Sequence, residues 1–89
     1  MRQHHLQIQL RSGEGAVLRA LGLIERRGFR LETCTVGEAQ GDGRPMQVCV
    51  RSERPGDLLK RQLERLHDVL WVELRPAVSG VNGRGAARD

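Results

Sequence analysis

Aromatic side chains are nearly missing from this chain: it has no tyrosine, a single phenylalanine (Phe29) and a single tryptophan (Trp71). Modules that hold single-stranded nucleic acid by stacking bases on aromatic platforms therefore have little to work with here. Cysteine is also scarce. Two residues, Cys34 and Cys49, are too few for a disulfide framework and read as small buried thiols in a reducing compartment. No apolar run is long enough to cross a bilayer. The opening MRQHHLQIQL has neither a signal-peptide core nor a small-residue cleavage site, so a cytoplasmic location is expected. Blocks of like charge are absent as well. The net charge of +4 is spread among alternating signs, and all basic residues except Lys60 are arginine. Mixed charge of this kind reads as a solvated surface, with no nucleic-acid patch.

What is present is a clear alternation of two periods. Leu6, Ile8 and Leu10 alternate with His5, Gln7 and Gln9, the pattern of a strand with one buried face. Val17, Leu18, Leu21 and Ile24 then recur at helical spacing, and Gly28 after Arg26 and Arg27 fits a left-handed helix stop. Phe29, Leu31, Thr33 and Thr35 alternate with Arg30, Glu32, Cys34 and Val36 as a second strand. The segment AQGDGRP is a turn, and Met46, Val48 and Val50 make a third strand. Pro55 and Asp57 open a second helix with Leu58, Leu59, Leu63 and Leu66 on one face, and Arg65 and His67 near its end. Val69 to Leu74 forms a fourth strand. From Pro76 onward the glycine-rich tail has no period, so 1–75 is expected to be one domain and 76–89 a disordered tail.

The order β-α-β-β-α-β, with right-handed crossovers, gives a four-stranded antiparallel sheet carrying both helices on one face, the ferredoxin-like arrangement. That fold hosts many unrelated activities. Catalysis finds no support: no glycine-framed nucleophile and no Ser or Cys spaced to a base occur. His4 and His5 are adjacent, so on a strand they point to opposite faces and cannot share a metal. His67 near a helix end reads as a cap. RNA recognition is disfavoured too, because HLQIQL and MQVCVRS, the central strands, carry no aromatic.

The remaining candidate is the loop RSGEGA between the first strand and the first helix. Ser12, Gly13, Glu14, Gly15 and Ala16, with Val17 and Leu18 next in the chain, bring backbone N–H groups to a helix N-terminus. Such a place suits a carboxylate or phosphate. A plainer reading has Ser12 and the glycines capping the helix and closing a turn.

The segments GAVLRALGLIERRGFRLETCTV and KRQLERLHDVLWVEL resemble the ACT domain of the small regulatory subunits of acetolactate synthase (acetohydroxyacid synthase). Gly15, Leu18, Gly22, Leu23, Arg27, Gly28 and Phe29 carry the first motif. Gln62, Leu63, Leu66, Asp68, Val69 and Val72 carry the second. With one ACT domain, the chain looks most like the short, isozyme II type. The resemblance implies a non-catalytic protein that binds and activates a large catalytic subunit in valine, leucine and isoleucine synthesis. Thiamine diphosphate, Mg²⁺ and FAD would belong to that partner, and no cofactor to this chain. It also implies a homodimer through ACT–ACT contact, with a branched-chain amino acid bound between Ser12–Leu18 of one copy and Arg30, Leu31 and Glu32 of the other. Valine-responsive relatives typically carry asparagine where Ser12 and Arg30 stand, so a feeble valine response is expected. The alternative reading is a stand-alone amino-acid-sensing ACT module for another enzyme.

Overall fold

The computed structural model describes residues 2–75, and the tail expected to be disordered lies outside them. The elements run in the order β1 (Arg2–Arg11), α1 (Ala16–Arg26), β2 (Arg30–Val36), β3 (Gly43–Ser52), α2 (Gly56–Glu64) and β4 (Val69–Arg75). All neighbouring strands are antiparallel, in the order β2-β3-β1-β4. The ferredoxin-like expectation holds, and it leaves β2 and β4 as the edges.

Every second residue of β1 enters the core because side chains alternate across a pleated strand. Leu6, Ile8 and Leu10 are fully buried there against Met46, Val48 and Val50 of β3 and Val72 of β4. Leu23 and Ile24 of α1, Leu59 and Leu63 of α2, and Phe29 complete the cluster. Burying each large side chain contributes about 1.5–3 kcal/mol. Ser52 is the buried polar residue among them. Its hydroxyl donates to the Gly28 carbonyl at 3.0 Å and accepts from the Arg54 N–H at 3.1 Å, tying the end of α1 to the β3–α2 turn.

Several expectations change. The helix stripe of α1 is Ala16, Ala20, Leu23 and Ile24. Val17 and Leu21 pack at its border, and Leu18 points outward, 74% exposed. Two short alanines let α1 lie close to the sheet, which turns the stripe away from the larger Leu18. The first-strand pattern extends back to Arg2. In α2, Leu59 and Leu63 are buried while Leu58 is half-buried, and the helix ends at Glu64, so Arg65 caps it and His67 lies beyond. His67 instead lends its carbonyl to Arg11 Nε at 2.9 Å.

The alternation of β2 breaks at a bulge between Leu31 and Thr33. Leu31 pairs with Val50 and Cys34 with Val48, so both face the helices, while Thr33 and Thr35 join the opposite face beside Cys49 and Gln47. A bulge inserts one residue and reverses the phase of the strand beyond it. Although the reversal turns Cys34 to the helix side, it stays exposed at the edge of the sheet, contrary to the buried thiol expected, whereas Cys49 is buried. The two thiols are free and on opposite faces of the sheet. His4 and His5 also divide as expected: His4 packs edge-on to Phe29, and His5 lies opposite Cys49.

Candidate functional site

The loop from β1 to α1 forms one wall of an open hollow of about 510 Å³, lined along Ser12–Leu18 and closed by Leu10, Arg11, Ala39 and Arg44. All seven loop and first-turn positions expected from the sequence thus come together. The α1 N-cap is Gly15, which supplies no side-chain cap. Ser12 does not cap the helix; its hydroxyl approaches the Gly41 carbonyl at 3.4 Å, and its N–H donates to the Asp42 carbonyl at 2.7 Å. The N–H of Ala16 reaches the Gly13 carbonyl at 3.3 Å, and that of Arg19 the Gly15 carbonyl at 2.9 Å. The N–H groups of Val17 and Leu18 find no acceptor among the described residues. They form the positive end of the helix.

Gly15 has φ of +81°, and a Cβ there would lie 2.8 Å from Arg19 Nη1. That guanidinium is held in place. Arg19 Nε donates to Asp68 Oδ2 at 2.5 Å, and its Nη2 donates to Asp68 Oδ1 and to the Glu14 carbonyl, both at 2.9 Å. The hydrogen bond from Arg19 holds the Asp68 carboxyl below its ordinary pKa. Arg11 adds a backbone N–H bond to the Asp68 carbonyl at 2.6 Å. The loop is therefore braced against the α2–β4 turn.

Sequence reasoning missed Arg44. It pairs with Leu10 across β1 and β3, which turns it to the helix side of the sheet and into the hollow. Among the described residues it has no carboxylate partner. The hollow thus joins the Arg44 guanidinium, two free N–H groups and an apolar wall of Leu10, Ala16 and Val17, with Arg11 and Glu14 also in its lining. Chemically it can receive an anion attached to a small apolar body. The signal for Arg44 was its place after the AQGDG turn, legible only once the strand register is known.

Arg30, Leu31 and Glu32 do not meet this hollow within one chain. Arg30 pairs with Arg51, which pairs with Gln3 at the far end of β1. Nine residues of strand separate Gln3 from Ser12, roughly 30 Å. Glu32 accepts from Arg51 Nε at 2.8 Å and Gln3 Nε2 at 3.2 Å, and Arg51 chiefly accounts for its lowered pKa. The Leu31 N–H, beside the bulge, donates to Glu25 Oε2 at 3.0 Å.

The family model described as ACT domain matches residues 12–72. A probable acetolactate synthase small subunit from Methanothermobacter thermautotrophicus is 38% identical over 68 residues, which is 73% of this chain and 40% of that protein. The chain thus spans well under half of that relative. The solved acetolactate synthase small subunit from Thermotoga maritima superposes with a TM-score of 0.74 at 22% identity, over 83% of this chain and 47% of that one. The ACT domain of a GTP pyrophosphokinase from Chlorobium tepidum gives 0.68 at 16% identity, over 82% and 96%. At such identities the two structures speak for the fold alone.

Proposed function

Because the chain belongs to the ACT domain family, we propose that it is a regulatory small subunit of acetolactate synthase, one that binds and activates the thiamine-diphosphate-dependent catalytic subunit. The relative at 38% identity supports that partner. The carrying observation is the hollow at the α1 entrance, where Arg44 and the Val17 and Leu18 N–H groups face an apolar wall. An α-carboxylate with a branched aliphatic side chain fits that chemistry. Thiamine diphosphate, Mg²⁺ and FAD are assigned to the catalytic subunit.

Exposed Leu18 lines the hollow, and β2 is an edge strand bearing exposed Val36 and Cys34 on the helix side. An unprotected edge beside exposed apolar side chains invites pairing with a second copy. Antiparallel β2–β2 pairing sets the Arg30–Glu32 end of one strand beside the Val36 end of the other. That end lies toward the hollow, since Val36 pairs with Met46 and Gly37 donates to the Pro45 carbonyl at 2.8 Å. A homodimer thus brings the two halves of the expected effector site together.

The test is to mix the purified chain with the catalytic subunit of the same organism and monitor acetolactate formation with and without valine. Stimulation on mixing is expected. With Ser12 and Arg30 at the two asparagine positions, valine should act at concentrations about tenfold or more above those of relatives with the amides. No stimulation refutes the subunit assignment and favours the second reading, an amino-acid-sensing module of another enzyme.

A further inference from the structure

We propose that the uncovered face of the sheet is the surface that docks on the catalytic subunit, an inference resting on the small-subunit reading. The helices cover one face only. The strand registers place Gln7 and Gln9, Gln47, Thr33, Thr35 and Trp71 on the other. None of these is charged, in a chain where 29% of residues are. The charges of this face lie toward its margin. On edge strand β4, Glu73 and Arg75, opposite Gln7 and His5, pair with each other at 3.4 Å. Arg51 pairs with Glu32 at 2.8 Å, and Arg30, opposite Arg51, has no salt bridge among the described residues. A centre depleted of charge, with an aromatic beside it, has the composition of a protein–protein interface core. Trp71, 47% exposed, is the aromatic.

Charge complementarity selects the occupant. A phosphate backbone or an anionic membrane needs a cluster of uncompensated cations, whereas among the described residues the cation at the hollow of this face, Arg75, is paired with Glu73. Its complement is a neutral protein surface that exchanges hydrogen bonds with amides and hydroxyls. The face is also not flat. A hollow of about 450 Å³ crosses β1, β2 and β3 and reaches Arg75 of β4, and Cys49 lies in it 4.0 Å from His5 Nε2, only 8% exposed. A depression of this kind receives an anchoring side chain from a partner.

Size points to the same occupant. Four strands about 4.8 Å apart and seven residues long span roughly 19 by 23 Å, about 440 Å². Stable complexes bury about 800 Å² on each partner. One face falls short, but two copies joined at β2 present a continuous double face that reaches the required area. The occupant is therefore a large surface that spans both copies, as a catalytic subunit can.

The experiment uses the full chain and the purified catalytic subunit, with association measured by calorimetric titration. Gln47→Lys on β3 and Gln9→Glu on β1 each set a charge on the open face, away from the β2 seam. Each should weaken association at least about tenfold, since a charge buried without a partner is costly. Cooperative melting, the dimer mass in sedimentation and valine binding should stay as in the wild type. Arg61→Glu, on the exposed side of α2, should associate normally. Hydroxyl-radical labelling of the unmutated chain provides a readout free of folding effects: oxidation of Trp71 should fall severalfold in the complex. Wild-type association by both charge variants overturns the proposal, as does equal labelling of Trp71 in free and bound chain. A change in the chain's own mass from either variant assigns the face to a copy–copy contact and also overturns it. Failure of the unmutated chain to associate at all sinks the small-subunit reading itself, a distinct result.

Discussion

Replacing Gly15 by alanine isolates the strain built into the loop that walls the hollow. Two costs arise, and the structure separates them. The first is torsional. Gly15 sits at φ +81°, where an L side chain crowds its own carbonyl, a penalty of about 1–2 kcal/mol. The second is a collision, because the new methyl would lie 2.8 Å from Arg19 Nη1. A free arginine would swing aside, but this one is fixed by both oxygens of Asp68 and the Glu14 carbonyl. Thermal unfolding monitored by circular dichroism is the assay. At about 4–8 °C per kcal/mol for a domain of this size, the torsional part alone lowers Tm by roughly 5–15 °C. In an Arg19→Ala background the collision disappears, so Gly15→Ala should cost measurably less there than in the wild type. Melting within about 2 °C of wild type would refute the torsional reasoning. Equal costs in the two backgrounds would refute the bracing role of Arg19.

The same geometry sets three further outcomes. Asp68 has a folded-state pKa depressed by Arg19, so its contribution is present above the ordinary carboxylate pKa near 4 and is lost as pH falls through the lower folded value. Urea titrations from about pH 5 down to about pH 2 should therefore show a smaller acid loss in Asp68→Asn than in the wild type; an identical slope would contradict the Arg19 brace. A thiol-alkylating reagent should modify exposed Cys34 well before buried Cys49. Both should react sluggishly at neutral pH because partial desolvation by the surrounding chain raises both thiols, and oxidation should give no intramolecular disulfide; mass spectrometry under native conditions reads all three. Leu18→Glu, at an outward position of α1, should leave the monomer's melting nearly unchanged while shifting sedimentation from dimer to monomer; a persistent dimer would rule out the Leu18–β2 side as the contact.

The amino-acid order alone determined the elements, their sequence and the sheet topology. Apolar residues at period two in LQIQL and at helical spacing in VLRALGLI allow few other packings, and Gly28 at φ +85° marks the helix stop as its position promised. The loop Ser12–Leu18 was legible for the same local reason, since a glycine-rich link before a helix exposes N–H groups wherever it occurs. Tertiary structure decided what depends on register. The bulge after Leu31 reversed the phase of β2 and moved Cys34 to the helix side, because strand phase is set by pairing with β3 and not by the strand's own pattern. Close approach of α1 through Ala16 and Ala20 turned Leu18 outward. Arg44 entered the hollow only because β3 pairs with β1 in the register that sets it opposite Leu10. Local pattern fixes which face of an element is apolar, whereas the neighbour it pairs with fixes where each remaining side chain comes to rest.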